Sequence, residues 1–355
     1  MRCAYCTESG MYTTTNCEAI VPEFCDFIDR IINSGERVSI GFWGGEPSLK
    51  SDVIIEITNR YLDDDRVKFF IYTNGFNTPP KLLGLIYSLK DKMVQGEPKF
   101  FTQISYDGQP IHDLKRKRGS QDGTTSMEVR ATIQWAKQNR IPFSLKSTIT
   151  MDTLQHLYEA YMDVNSLVVG GNTSSVSSYF PTLDYFNNFE DDEHLEEYLQ
   201  SMRDNLKRIA ATMITAQRKN LPYADFKWFT SSKADCSAGV GMFSVDTDGS
   251  LYVCHGCFYT DKKEDHLVGH IKDPISILAA SKEKHSACAN LTPIECKSCE
   301  ATFCVRCNTV RYSVSEKETY GERWKDYTNN HMLCHVYKEI GKISRAYQRI
   351  SGVKR

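Results

Sequence analysis

The chain has 355 residues, of which 25% are charged and 41% hydrophobic, and its formal net charge is −2. These values are ordinary for a globular protein of about two domains, and they exclude a strongly basic nucleic-acid-binding chain and an acidic tail. No apolar run reaches the roughly 18 residues that a membrane span needs, and no signal peptide precedes Cys3, so we expect a cytoplasmic protein without a membrane or nucleic-acid partner.

The chain opens with a C-x-x-C pair formed by Cys3 and Cys6. Thiolates at this spacing can hold one metal ion or one edge of an iron–sulfur cluster, although the pair alone also fits a redox pair or half of a zinc site. Thirteen cysteines without a secretion signal favour a reducing compartment and metal ligation over a disulfide scaffold. We therefore expect a metal-containing protein.

Residues 38–180 alternate between short apolar segments and amphipathic ones. Segments 38–43, 67–73, 100–106 and 142–149 predict buried strands, and segments 51–62, 80–94 and 124–139 predict helices between them. This alternation indicates an α/β fold with a parallel sheet or barrel. Residues 191–219 then predict a long packing helix, because apolar side chains recur there at helical spacing: Leu195, Leu199, Met202, Leu206, Ile209 and Met213.

Two of the predicted strands run into motifs that suit a ligand. The strand at 38–43 leads to two glycines that let a backbone approach a ligand closely, a carboxylate that can pair with an amino group, and a stiffening proline: Gly44, Gly45, Glu46 and Pro47. The strand at 100–106 leads to polar residues that either shape a substrate site or form a turn with a local ion pair: Asp107, His112, Asp113 and Arg116.

After about residue 231 the regular pattern fades and nine cysteines follow: Cys236, Cys254, Cys257, Cys288, Cys296, Cys299, Cys304, Cys307 and Cys334. A segment with few periodic apolar positions needs another source of stability, which bound metal supplies. Three C-x-x-C pairs in this group also match zinc knuckles, so zinc held by four thiolates is an alternative to iron–sulfur clusters. Asp248 and Gly249 lie between apolar runs and predict a tight hairpin.

Together these motifs resemble the radical S-adenosylmethionine (SAM) superfamily, and in particular its peptide-modifying branch. The family's cluster motif is C-x3-C-x2-C with an aromatic residue before the last cysteine, and its Gly-Gly-Glu-Pro motif contacts the amino group of SAM. The resemblance covers most of residues 1–165. It implies cofactor-binding roles for six residues: Tyr5, Gly44, Gly45, Glu46, Pro47 and Ser105.

The first motif departs from the family pattern. Cys3 and Cys6 would be the second and third cluster ligands, and the first ligand would fall two positions before Met1. We expect that the sequence begins inside the motif and that the first strand of the barrel also precedes it.

The distal cysteines resemble the family's SPASM extension, which opens with C-x(9–15)-G-x4-C. Cys236, Gly249 and Cys254 fit this opening, whereas two later spacings are each one residue shorter than usual. The resemblance implies two auxiliary [4Fe–4S] clusters. One would be held by Cys296, Cys299, Cys304 and Cys334, and the other by Cys236, Cys254 and Cys307, with Cys257 or Cys288 as the fourth ligand.

The resemblance implies a partial (β/α)6 TIM-like barrel over residues 1–190, a helical connector over 191–230 and a SPASM domain over 231–355. It also implies a SAM-binding [4Fe–4S] cluster, a 5′-deoxyadenosyl radical, a peptide or protein substrate, and an electron donor such as flavodoxin or ferredoxin. We expect crosslinking of a ribosomally synthesised peptide. The alternatives are formylglycine formation of the anaerobic sulfatase-maturating type, and a non-catalytic zinc or iron–sulfur protein.

Overall fold

The computed structural model describes residues 1–6, 16–119, 123–168, 178–183, 195–231, 237–259, 263–289, 299, 301 and 332–352. Its strands are β1 (Arg2–Cys3), β2 (Val38–Phe42), β3 (Val67–Thr73), β4 (Met93–Val94), β5 (Glu97–Pro98), β6 (Phe100–Ser105), β7 (Arg116–Lys117), β8 (Phe143–Ile149), β9 (Ser178–Leu183), β10 (Asp225–Phe226), β11 (Ser244–Val245), β12 (Ser250–Tyr252) and β13 (Leu267–His270). Its α-helices are α1 (Val21–Asn33), α2 (Ser51–Arg60), α3 (Pro80–Ser88), α4 (Ile111–Lys115), α5 (Ser126–Gln138), α6 (Leu157–Val168), α7 (Leu195–Arg218), α8 (Lys227–Thr230), α9 (Ser276–Ala289) and α10 (Met332–Ser351). Short 3-10 helices occur at Cys17–Ile20, Pro47–Lys50, Met151–His156, His255–Tyr259 and Lys263–His266. None of the helices in these ranges combines the length and the apolar character that crossing a bilayer requires.

The chain divides into two compact units. One comprises Met1–Met11, Ser39–Ser232 and Glu339–Arg355, and the other comprises Tyr12–Val38 and Lys233–Lys338. The division into domains expected from the sequence stays a prediction.

The first unit is built on a six-stranded sheet in the order β10-β9-β8-β6-β3-β2. The five strands from β3 to β10 in this sheet pair in parallel, and α2, α3, α5 and α6 alternate with the strands along the chain. In β3 the alternate residues Val67, Phe69 and Ile71 are fully buried, so one face of the sheet forms the core. The α/β class and the parallel sheet expected from the sequence are confirmed.

The helix predicted over residues 80–94 is wrong in its last part. α3 ends at Ser88, and β4 and β5 then form a two-stranded hairpin. Gln95 and Gly96 connect the two strands with φ of 55° and 81°, the positive values that a tight two-residue hairpin turn requires. The other predicted strands and helices from 38 to 149 agree with the structure to within two residues at each end.

The long helix predicted over 191–219 is confirmed as α7 from Leu195 to Arg218, and residues 191–194 lie outside the described chain. Its described apolar stripe is 5% exposed or less at every position: Leu199, Met202, Leu206, Ile209 and Met213. The C-terminal part of α10 belongs to the same unit, where Glu339 pairs with Arg203 of α7 at 3.2 Å and Gln348 Nε2 donates to the Phe229 carbonyl at 2.7 Å.

The second unit contains α1, α9 and the antiparallel sheet β11-β12-β13. The predicted hairpin is confirmed, because Gly249 lies between β11 and β12 with φ of 89°. α1 is fastened to the segment after β13: the Arg30 guanidinium donates to the carbonyl oxygens of Ile271 and Asp273, and Glu23 pairs with Lys272 at 2.9 Å.

Candidate functional site

The C-x-x-C segment lies against the chain that follows α4. β1 pairs antiparallel with β7, which sets Cys3 opposite Arg116, and the Ala4 amide donates to the Lys115 carbonyl at 2.8 Å. The Cys6 amide closes a turn on the Cys3 carbonyl at 3.1 Å. Both thiols are free and half-buried. Backbone bonds of the first unit therefore position both thiols.

A buried ion pair anchors this segment to the sheet. Asp107 follows β6 and is fully buried, and its carboxylate receives Arg116 Nε at 2.7 Å and Arg116 Nη2 at 3.0 Å. The Tyr5 hydroxyl donates to the same carboxylate at 2.5 Å, and the Thr148 amide at the end of β8 donates to it at 2.9 Å. From the sequence, Asp107 and Arg116 were expected either to shape a substrate site or to form a local ion pair. In the structure they form a buried ion pair, and Tyr5 and Thr148 also donate hydrogen bonds to Asp107.

The charges of this ion pair act on the pKa of the Cys3 thiol. Burial by itself would raise the pKa of Asp107, but the Arg116 charge and its hydrogen bonds hold that pKa below its ordinary value. Burial raises the pKa of the Cys3 thiol, and the Arg116 charge opposes the increase. A cation bound at Cys3 would offset the burial of the thiolate, as metal binding to cysteine requires.

Glu46 ties the glycine loop after β2 to the end of β3. Its Oε1 accepts from the Ser48 amide at 3.0 Å and from the Thr73 hydroxyl at 2.7 Å, and its Oε2 accepts from the Asn74 amide at 2.7 Å. A carboxylate has about four acceptor positions, and the contacts made by the described residues leave one of them on Oε2 open. Gly44 and Gly45 are exposed, and Pro47 begins the short helix that Glu46 caps.

Tyr72, Ser105 and Lys146 lie on the half-buried face of the sheet, opposite to Val67, Phe69 and Ile71, and Trp43 follows β2 beside them. Trp43 meets Tyr72 edge-on with ring centroids 4.7 Å apart, and Lys146 Nζ lies 5.7 Å from the Trp43 ring centroid. Ser105, a predicted cofactor contact, is the register partner of Lys146. Burial and the Arg116 charge lower the pKa of Lys146. The structure thereby brings the C-x-x-C segment, the glycine loop and Ser105 to one end of the sheet.

Lys146 is a site residue that the sequence did not single out. The available signal was a charged side chain within the strand predicted at 142–149, which is uncommon for a buried strand of a parallel sheet. Its position beside Trp43 depends on the register between β6 and β8.

Only part of the distal cysteine group falls in the described chain. Cys254 is buried at the end of β12, and Cys299 Sγ accepts from the Ala301 amide at 3.5 Å. Residues outside the described ranges are Cys236, Cys296, Cys304 and Cys307, and the side chains of Cys257, Cys288 and Cys334 are outside them as well. Within the described ranges, no three His, Cys, Asp or Glu side chains form a metal-binding group. Cys3 and Cys6 fit two corners of a cluster, and the ligand sets of the auxiliary clusters stay a prediction.

No family model matches the chain. The chain is 21% identical over 276 residues to the radical SAM cyclopropyl synthase TigE of Paramaledivibacter caminithermalis, covering 72% of this chain and 54% of that protein, so it spans about half the length of this curated relative.

Two solved structures were bound to peptides. Native anSMEcpe with bound AdoMet and Cp18Cys peptide matches with a TM-score of 0.70 and 17% identity, covering 99% of this chain and 95% of that one. Streptococcus suis SuiB bound to the precursor peptide SuiA matches with a TM-score of 0.51 and 10% identity, covering 81% of this chain and 66% of that one. The resemblance that the motifs predicted is confirmed: the chain is a sequence relative of a radical SAM protein and has the partial-barrel fold of SAM-binding structures.

Proposed function

We propose that the chain is a radical SAM enzyme that modifies a peptide or protein, and specifically a maturase that crosslinks a ribosomally synthesised peptide. The observation that carries the proposal is the convergence of the C-x-x-C segment, the Gly-Gly-Glu-Pro loop and Lys146 at one end of a parallel sheet. Ligands of open α/β sheets bind outside the carboxyl ends of the strands, which is where these residues lie.

Cys3 and Cys6 would supply two thiolates to a [4Fe–4S] cluster, and Glu46 would receive the amino group of SAM. When bound and reduced by one electron, this pair of cofactors supplies a 5′-deoxyadenosyl radical that removes hydrogen from a substrate carbon. The chain contributes position and environment. Glu46 holds the glycine loop on Thr73 and Asn74. The rings of Trp43 and Tyr72 pack edge to face beside this loop and provide an apolar wall at this end of the sheet.

A peptide substrate is supported by the two structural relatives, both of which were solved with a peptide bound. We propose two auxiliary [4Fe–4S] clusters in the distal cysteine group, in which Cys254 and Cys299 are ligands. Flavodoxin or ferredoxin is the proposed class of electron donor. A reducing cytoplasm is the proposed compartment, because all of these thiolates must remain reduced to bind iron.

Anaerobic SAM cleavage tests the proposal. We expect cluster-replete protein with dithionite and SAM to release 5′-deoxyadenosine, and Cys6→Ser to abolish the release because a serine hydroxyl replaces a cluster thiolate. Cys17→Ser is the matched control, since Cys17 lies outside the predicted motifs, and it should retain the activity. Cluster-replete protein that releases no 5′-deoxyadenosine would contradict the proposal.

Mass spectrometry of the product separates the substrate classes. A crosslinked peptide loses hydrogen for each bond formed and yields linked fragments. An aldehyde in a sulfatase-derived peptide would instead identify formylglycine formation. Stoichiometric zinc with little sulfide in protein purified without oxygen would identify the non-catalytic alternative.

A further inference from the structure

We propose that Arg116 is a positioning residue that donates a hydrogen bond to the sulfur of Cys3 and thereby sets the reduction potential of the cluster held at the C-x-x-C segment. This inference rests on the proposed function, because it requires a cluster ligated by Cys3. Arg116 would act on the metal through the Cys3 thiolate, which its guanidinium contacts.

The guanidinium of Arg116 is divided between two acceptors. Its Nε and Nη2 bind the two oxygens of Asp107 at 2.7 and 3.0 Å, and its remaining nitrogen, Nη1, lies 3.7 Å from Cys3 Sγ. The antiparallel pairing of β1 and β7 sets Cys3 directly opposite Arg116, so the backbone also fixes this distance. The guanidinium can bridge a carboxylate and a thiolate because its donors form a rigid planar fork.

Asp107 holds the Arg116 guanidinium in this orientation. Both of its oxygens accept two hydrogen bonds: Oδ2 from Arg116 Nε and the Tyr5 hydroxyl, and Oδ1 from Arg116 Nη2 and the Thr148 amide. About four acceptor positions are available on a carboxylate, so Asp107 has none left for a substrate. Its role is therefore to orient the Arg116 guanidinium and to hold Tyr5 by a hydrogen bond. Tyr5 lies between Cys3 and Cys6 in the sequence. The Arg116 guanidinium also lies 5.3 Å from the Tyr5 ring centroid.

An N–H donor beside a ligand sulfur favours the reduced cluster. Reduction adds negative charge that spreads onto the sulfurs, and hydrogen bonds to those sulfurs and the local net charge are among the main determinants of cluster potential. Arg116 supplies such a donor, and it shares with Lys146 a buried region in which each cation acts on the other. Loss of the Nη1 donor should move the potential to more negative values, which makes reduction by the electron donor harder.

The test is the potential of the SAM-binding cluster in Arg116→Lys protein. The cluster is identified by the change that SAM causes in its electron paramagnetic resonance spectrum, and a redox titration of that signal gives the potential. An ammonium cannot reproduce the bidentate contact with Asp107 and the bond to Cys3 together, so we expect a more negative potential and less iron retained after gel filtration. Arg118→Lys is the matched control, since Arg118 is an exposed neighbour paired with Glu128, and it should match the wild type.

A double variant keeps the test decisive if Arg116→Lys does not fold. Asp107→Asn with Arg116→Gln removes both charges and leaves no unpaired ion in the core, and it should also shift the potential to more negative values. A wild-type potential in either folded variant would overturn the inference while leaving the proposed function intact. A wild-type protein without a SAM-sensitive signal would overturn both.

Discussion

The Glu46 carboxylate accepts hydrogen bonds from Ser48, Thr73 and Asn74, so it organises the glycine loop, and contacts within the described chain leave one acceptor position for the proposed SAM amino group. In Glu46→Gln an amide nitrogen must face one of these donors, and the negative charge is lost. We expect the affinity for SAM to fall by roughly 1.5–3 kcal/mol, the scale of a charge-assisted hydrogen bond. Calorimetry on cluster-replete protein measures this change.

Glu56→Gln is the matched control for Glu46→Gln, since Glu56 is exposed on α2, and its SAM affinity should equal that of the wild type. The amount of iron in the auxiliary clusters should be the same in the wild type, Glu46→Gln and Glu56→Gln. Unchanged SAM binding in Glu46→Gln would mean that the loop is only a turn.

His112 is buried as a neutral ring. Its Nδ1 faces the Asp107 amide at 3.5 Å, and its Nε2 lies 3.1 Å from the Thr125 hydroxyl, which itself donates to the Arg116 carbonyl at 3.2 Å. The hydroxyl has one proton, so His112 Nε2 must be the donor in their shared bond. Burial lowers the pKa of His112 from 6.5 to about 4, and the Asp107 charge only partly opposes it.

This shift predicts acid sensitivity with a definite sign. The ring binds a proton more readily in the unfolded chain, so its contribution to stability is complete above pH 6.5 and is lost as the pH falls toward 4. At pH 5 the loss should be about 2 kcal/mol. Urea unfolding at pH 7 and pH 5 should show this difference in the wild type, and the difference should be smaller by that amount in His112→Gln. His335→Gln, at an exposed position, should behave like the wild type; equal pH dependence in His112→Gln would disprove the assignment.

At the scale of the secondary-structure elements, the turn after β6 packs closely against α6. Gly108 has φ of 80°, and a Cβ there would lie 2.4 Å from the Ala160 carbonyl oxygen of α6. Gly84 on α3 has an ordinary backbone conformation and open space around the Cβ position. The two glycines therefore serve different purposes, since Gly108 permits a close approach and Gly84 only adds flexibility to a helix.

Alanine substitution should act in opposite directions at these two sites. Gly108→Ala should destabilise the protein by roughly 3 kcal/mol or more, because it combines an unfavourable φ with a clash against backbone. Gly84→Ala should stabilise it by roughly 0.5–1 kcal/mol, because alanine loses less conformational entropy in a helix. Denaturant midpoints measure both effects, and a Gly108→Ala protein as stable as the wild type would show that α6 moves to accommodate the methyl group.

At the scale of the whole molecule, the two units differ in how much described core they contain. The first has a six-stranded sheet covered by helices. The second has strands of only two, three and four residues, the buried face of α1, and a small cluster formed by Ala238, Val253 and Cys254. Short strands over a small core give little stability by themselves. Bound metal is the expected source of the remainder.

Removal of iron should therefore affect the second unit selectively. We expect a chelator to accelerate proteolysis within Lys233–Lys338 while fragments of Ser39–Ser232 stay intact, as read by mass spectrometry. Holoprotein carried through the same procedure without chelator is the control. Identical cleavage in both samples would indicate that the metal contributes little to the folding of this unit.

Local patterns were sufficient to predict most elements of the barrel. The strand at 67–73 was predicted with both ends correct because its short apolar run is a property of the chain itself. The motif spacings likewise led from Cys3, Cys6 and Glu46 to the family resemblance. The helix predicted over 80–94 was wrong beyond Ser88 because Met93 and Val94 pair with Glu97 and Pro98 in a hairpin, and periodicity within one segment does not report that pairing.

The partners of the site residues depended on contacts between distant positions. Tyr5 and Asp107 are separated by 102 positions, and Cys3 and Arg116 by 113. No periodic pattern in the sequence could reveal contacts across such separations. The same holds for the contact between Lys146 and Trp43. Periodicity reports which face of an element is buried, whereas the choice of partner follows from sheet order and register, which are set only when the whole sheet assembles.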